Sequence, residues 1–188
     1  MQTEIVLEPG PEEPPDLCGP DGDAAVLALY DAHSRSLHRY LARRVGQDLA
    51  DDLVAEAFLV MWERRADYDP SRAGARAWLF GIATNLARMH ERTEVRKLRA
   101  WARELGRGLD VEAPDSRAAA AVDAAHDVGR YAEALAGLRP EERDVLLLTA
   151  WADLSPTEIA RVLDLRVTTV RTRLHRARGR LLRRGGKP

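Results

Sequence analysis

Through most of this chain apolar side chains recur at steps of three and four, and nowhere do they alternate with polar ones over a strand's length. The pattern therefore predicts an all-α protein with no strands. The first helix runs from Ala24 to Val45, its period carried by Leu27, Tyr30, Leu37, Tyr40 and Leu41, and Gly46 ends it. Asp48 is the expected N-cap of a second helix reaching about Arg65. Asp69, Pro70, Ser71 and Gly74 mark a loop, and a long third helix is expected from about Arg76 to Arg103. After a composition shift at Gly106, Gly108, Pro114 and Asp115, four shorter helices fit near 127–137, 140–151, 156–163 and 168–184. Pro140 and Pro156 fall in first turns, where proline is tolerated. The chain divides into a disordered acidic tail (1–22), a helical domain (23–104), a flexible linker (105–126) and a second small helical domain (127–188).

The last two helices have the layout of a helix-turn-helix, in which a short support helix positions a longer one whose N-terminal part enters the major groove. Ser155 and Glu158 have capping-box spacing. Ala160 sits where the helices cross, Ile159, Leu163, Leu165 and Val170 supply a small core, and the turn falls at Asp164, a residue type that tolerates left-handed backbone. Val167, Val170, Leu174, Ala177 and Leu181 form one stripe of the final helix. The opposite face then carries Thr168, Thr169, Thr172, His175, Arg176 and Arg183, flanked by Arg171, Arg173 and Arg178. Short hydroxyls and arginines on one face suit bases and phosphates.

The second helix is apolar on two sides. Leu49, Leu53, Ala57, Val60 and Met61 face a core, while Leu59 and Trp62 project opposite beside Asp52, Glu56 and Glu63, which reads as a docking face for a basic partner protein. The third helix has an apolar first half and a basic second half. There Arg88, Arg92 and Arg96 share a face that can track a phosphate backbone, partly neutralised by Glu91 and Glu94. Asn85, polar within the apolar half, either hydrogen-bonds a base or bridges backbone.

Charge sharpens the picture. The net charge of −1 hides opposite ends: acids and no bases up to Asp23, and nine bases with no acid from Leu165 onward, so a polyanion prefers the C-terminal end. The lone Cys18 excludes an internal disulfide. No run approaches the roughly 20 apolar residues of a membrane span, so a cytoplasmic protein is expected. Histidines 33, 38, 90, 126 and 175 are scattered, and no metal, nucleotide or nucleophile motif is present, so neither an enzyme nor a cofactor is expected. Asp51, Asp52 and Glu56 as metal ligands would be the enzyme reading, with only their spacing behind it. A stand-alone helix-turn-helix regulator would explain the C-terminal half and leave the acidic, tryptophan-bearing face without a purpose.

DLADDLVAEAFLVMWERR followed by ARAWLFGIATNLARMHER resembles the core-binding and minus-ten-recognition domain of extracytoplasmic-function sigma factors. LRPEERDVLLLTAWADLSPTEIARVLDLRVTTVRTRLHRARGRL resembles their minus-thirty-five domain, and the two blocks in this order cover well over half of the chain. The resemblance implies a factor that binds core RNA polymerase and directs it to promoter DNA, under control of an anti-sigma factor. It implies polymerase contacts at Asp51, Asp52, Glu56, Leu59 and Trp62. The loop from about Ala66 to Ala75, with Asn85, would capture a flipped base of the minus-ten element, and Arg88, Arg92 and Arg96 would hold backbone. Thr168, Thr169, Arg171, Thr172, His175 and Arg176 would read the minus-thirty-five element. Thr84 stands where the family often has a basic residue, and Asp164, Arg166 and Thr168 where it more usually has glycine, proline and glycine.

Overall fold

The computed structural model describes residues 14–107 and 130–185, and these are helical with no strand among them. Helix α1 spans Gly22–Val45, and α2 spans Gln47–Glu63. They join at Gly46 alone, whose φ of 103° is open to glycine and strained for other residues, and whose N–H closes α1 on the Ala42 carbonyl. Gly46, not Asp48, is therefore the N-cap of α2. Asp48 lies in the first turn, where its charge suits the helix dipole. A single 3₁₀ turn, Arg65–Asp67, leads into a loop in which Asp69 accepts hydrogen bonds from the Ser71 N–H at 2.9 Å and the Ser71 hydroxyl at 2.6 Å.

The expected long third helix is two: α3, Ala75–Met89, and α4, Glu91–Arg107, broken at His90. No proline or glycine marks the break. The His90 N–H bonds to Ala87 while its carbonyl accepts from Thr93 and Glu94. The change of direction lets α4 turn Glu94 and Leu98 inward, both about 1% exposed. Tertiary contacts have overridden local propensity here.

In the second domain, α5 comprises residues 130–136, α6 Pro140–Trp151, α7 Pro156–Val162 and α8 Val167–Gly185. The capping box forms as its spacing requires: Ser155 Oγ accepts from the Glu158 N–H, and Glu158 Oε2 accepts from the Ser155 N–H. At the end of α7, Asp164 has φ 52°, its N–H meets the Arg161 carbonyl, and the Leu165 N–H reaches back to Ala160 at 2.7 Å, the pair of bonds that defines a Schellman cap. Asp153 also has φ 52°, a turn the sequence did not announce.

Of the segment expected to be tail, residues 1–13 lie outside the described residues, but residues 14–22 are ordered. Leu17 is buried, and Asp16 accepts the N–H groups of Cys18 and Gly19. The expected linker likewise falls mostly in 108–129, outside the described residues. In α1 the fully buried apolar residues lie in the second half, Leu37, Tyr40 and Leu41; in the first half Leu29 is partly buried against the core, while Leu27 and Tyr30 are exposed.

The two domains share one apolar core. Phe80, Ile82 and Leu86 of α3 belong to the same cluster as Val145 and Leu148 of α6 and Ile159 of α7. This is why residues 142–148 of α6 are buried all round, with α8 on one side and α3 on another.

Two substitutions test the turn chemistry in opposite directions. Ser155→Ala removes the capping box and is expected to lower unfolding free energy by about 1 kcal/mol. Asp164→Gly relieves the left-handed strain and is expected to raise it by about 0.5–1 kcal/mol. Urea denaturation reads both.

Candidate nucleic-acid interface and docking face

The core stripe of α8 fixes which side chains face outward. Val170, Leu174 and Ala177 are buried, with Val167 and Leu181 half-buried against the same cluster. Thr168, Arg171, Thr172, His175 and Arg176 consequently lie exposed on the other side, with Thr169 half-buried at the edge. Thr172 donates its hydroxyl to the Thr168 carbonyl at 2.8 Å, so toward a ligand it presents lone pairs. Arg180, outside this face, pairs with Glu142 on α6.

The loop after α2, the middle of α3 and the end of α7 line an open cavity of about 600 Å³, and here the structure brings together what the sequence separated. Tyr68, Asp69, Arg72 and Ala73 from the loop, and Trp78, Ile82 and Asn85 from α3, line it. Tyr68 and Trp78 stack with centroids 5.3 Å apart. The Tyr68 hydroxyl is buried beside the Ala75 backbone, and burial pushes its pKa up. Asn85 is exposed and accepts from Arg88 Nη1 at 3.0 Å. An aromatic wall and the exposed amide of Asn85 suit a planar, hydrogen-bonding guest. Tyr68 and Trp78 were not singled out from sequence as site residues, although Tyr68 lies within the 66–75 loop that was and Trp78 just beyond it.

The expected basic track is divided. Arg92 and Arg96 are exposed and, with Arg99 and Arg103, line a groove of about 690 Å³ beside Glu133 of α5. Arg88 points elsewhere, its Nε 2.6 Å from Asp144 Oδ2. Glu94 does not neutralise its helical neighbours as expected: it is buried and accepts from Arg44 at 2.8 Å and Arg143 at 3.0 Å.

On α2 the second apolar face stays uncovered. Leu59 is 55% exposed, Asp52 and Glu56 lie open beside it, and Trp62 is half-buried under the Arg65 guanidinium, 3.8 Å from the ring centroid. Asp51 sits at the edge nearer α1, its Oδ1 3.1 Å from His38 Nε2. Together with Leu27 of α1, and with Tyr30, whose ring packs on Phe58 with centroids 4.9 Å apart yet stays 46% exposed, Leu59 leaves large apolar surface in water.

Sequence reasoning missed a buried ion network altogether. Arg44 of α1 donates to Tyr40, to both oxygens of Glu94, and to Asp144 Oδ1 at 2.6 Å. Burial opposes its charge, but the surrounding groups hold its pKa well above the ordinary arginine value. Asp144 joins Arg44 to Arg88, and Arg143 joins Glu94 to the carbonyls of Leu135 and Leu138 at the end of α5. The available signal was Arg44 itself, four residues beyond Tyr40 on the core face of α1.

A helix-turn-helix domain joined to a helical domain with an aromatic, amide-edged cavity and an uncovered acidic face defines a DNA-binding factor built to work with a protein partner. Comparison with known proteins gives its family. The Sigma-70 region 2 family matches residues 29–97, and the Sigma-70 region 4 family matches residues 129–181. The ECF RNA polymerase sigma factor SigL of Mycobacterium tuberculosis is 34% identical over 155 residues, 82% of this chain and 85% of SigL. The RNA polymerase sigma factor CnrH of Cupriavidus metallidurans is 35% identical over 139 residues, 70% of each chain. The solved structure of CnrH in complex with the cytosolic domain of CnrY has a TM-score of 0.55 at 27% identity, covering 85% of this chain and 86% of that one. A sigma factor RpoE from Bartonella quintana, solved with the anti-sigma factor NepR, shares the fold with a TM-score of 0.54 at 21% identity, over 87% of this chain and 95% of that one. The chain belongs to the extracytoplasmic-function sigma factors, transcription initiation factors without catalysis of their own.

Because Leu59, Asn85 and His175 are exposed and serve no packing, replacing any of them with Ala is expected to change unfolding free energy by less than about 0.5 kcal/mol. Leu37→Ala or Phe80→Ala in the core is expected to cost about 3–5 kcal/mol. Guanidinium titrations separate the two classes.

Proposed function

We propose that the chain divides promoter selection among three surfaces. The exposed face of α2, with Asp51, Asp52, Glu56, Leu59 and Trp62, docks on core RNA polymerase. The cavity bounded by the 66–75 loop and Asn85 takes a flipped base of the minus-ten element, paying its unstacking with aromatic contact and hydrogen bonds. Arg92 and Arg96 hold nearby backbone, joined by Arg88 when it is free. Thr168, Thr169, Arg171, Thr172, His175 and Arg176 read the minus-thirty-five element in the major groove. The observation that carries this reading is the presence in one chain of both a polar cavity with an aromatic wall, roomy enough for a base, and a one-sided basic recognition helix. Among the described residues no helix is long and apolar enough to cross a membrane, and the site of action is the cytoplasm, where polymerase works.

An anti-sigma factor controls the chain by covering the apolar groups of α1 and α2. Two findings support this: Leu27, Tyr30 and Leu59 are left exposed, and the similar CnrH structure is a complex with the cytosolic domain of CnrY.

Run-off transcription with bacterial core polymerase on a genomic fragment library, followed by sequencing of transcript starts, tests the assignment. New starts sharing two spaced upstream elements are expected. No new starts, with sequence-specific DNA binding by the chain alone, would make it a stand-alone regulator. On a promoter so found, Arg176→Ala is expected to weaken binding about 10-fold. Trp62→Ala is expected to weaken assembly with core polymerase by about 30-fold or more, as loss of an aromatic anchor does.

A further inference from the structure

Helix α3 is almost wholly covered. Of its 15 residues Asn85 and Met89 alone are exposed, Arg76, Trp78 and Arg88 are half-buried, and the rest are buried. Residues four apart on a helix project side by side, so these two share one face, with Met89 about 6 Å further along the axis. Asn85 lines the cavity assigned above to a flipped base. Met89 is 69% exposed, more than any other large apolar side chain among the described residues. The chain leaves α3 directly after it: His90 caps the helix, and α4 sets off in a new direction with Arg92 and Arg96 exposed in its first turns. A thioether thus stands in water between an amide that borders the base cavity and two guanidiniums that suit phosphates.

A single apolar side chain in water is ordinary on a protein surface, and exposure by itself gives it no role. The position of this one does. Lifting a base out of a duplex leaves a gap in the stack as thick as one base step, about 3.4 Å. Proteins that hold such steps apart insert an apolar side chain between the bases, and methionine is one of those used. It is unbranched and flexible, and its polarisable sulfur makes favourable contacts with aromatic rings, which the faces of the neighbouring bases present. The separation of Asn85 and Met89 along the helix is close to two base steps, so a strand whose flipped base enters the cavity brings the vacated region of the stack to Met89. The aromatic side chains nearby are occupied otherwise. Tyr68 and Trp78 stack on each other in the cavity wall, and Trp62 lies under Arg65 on the docking face.

We propose that Met89 is a wedge for promoter opening: as the flipped base enters the cavity, the Met89 side chain enters the gap it leaves and keeps the neighbouring bases from closing over it. The proposal rests on the assignment of that cavity to a promoter base, and adds a residue that acts on the remaining duplex instead of on the flipped base. One helix face then carries two separate tasks, recognition at Asn85 and opening at Met89.

Two fragments carrying a promoter from a mapped start separate these tasks, one fully paired and one mismatched across the minus-ten element so that it is already open. Holoenzyme assembled from core polymerase and the full chain is assayed on both by run-off transcription, and permanganate reactivity of unpaired thymines reads opening on the paired fragment. Met89→Ala is expected to lower output and permanganate reactivity about 10-fold on the paired fragment, with no loss on the open one. Met89→Leu, still apolar, is expected to open the paired fragment as the wild type does. Met89→Gln, of equal length and polar, is expected to fail as Met89→Ala does. Undiminished opening by Met89→Ala or Met89→Gln, or a loss of equal size on both fragments, would overturn the wedge and leave the base cavity standing. Asn85→Ala is expected to lower output on both fragments, since an unpaired base has still to be held. If it matches the wild type on both, the cavity's assignment falls, and the wedge falls with it.

Discussion

The carboxylate of Asp144 sits about 1% exposed between two guanidiniums from the other half of the chain, and much of the architecture follows from satisfying it and its neighbours. Arg44 is buried with equal completeness and spends its donors on Asp144, Glu94 and Tyr40. A buried charge left unpaired costs several kcal/mol, so each member requires the others in place. Glu94 can reach Arg44 only if α4 departs from the line of α3, which accounts for the break at His90. Arg143 shares Glu94 and donates to carbonyls at the end of α5, which fixes that helix against α6 and places positive charge at its negative end.

The same network explains one departure from the family pattern. Thr84 stands next to Asn85 where a basic residue is common, and here it is buried, donating to the Phe80 carbonyl and accepting from the Tyr40 hydroxyl. Tyr40 in turn accepts from Arg44. A hydrogen-bonded line thus runs from the α3 backbone to the interdomain ion pairs, and a long cationic side chain at 84 would have no room in it. The surfaces assigned to DNA and polymerase lie outside this line, on side chains that the core leaves in water.

Most of the helices, the helix-turn-helix and the family were legible in the order of residues, and the break between α3 and α4 was not. Periodicity placed α1, α2, α6, α7 and α8 close to their observed bounds, because each is amphipathic and bounded by capping or turn residues such as Gly46, Pro140, Ser155 and Asp164. The outward face of α8 followed from its core stripe by geometry alone, and the uncovered face of α2 from apolar residues in excess of one stripe. These are local properties, decided within about ten residues of chain.

What the order of residues did not disclose is whatever joins positions far apart in it. Arg44 and Asp144 lie a hundred positions apart, and neither residue type is marked as the partner of the other. Glu94 looked like a helical neighbour of Arg92 and Arg96 until α4 turned it inward, and Arg88 looked like part of a phosphate track until Asp144 claimed it. Charge is long-ranged and its partner is set by the fold, whereas apolar periodicity and caps are written next to the residues that use them. Sequence alone therefore determined most of the helices, the outward face of α8 and the family, and tertiary structure alone decided the break at His90, which charges are buried together and that the two domains close on one another.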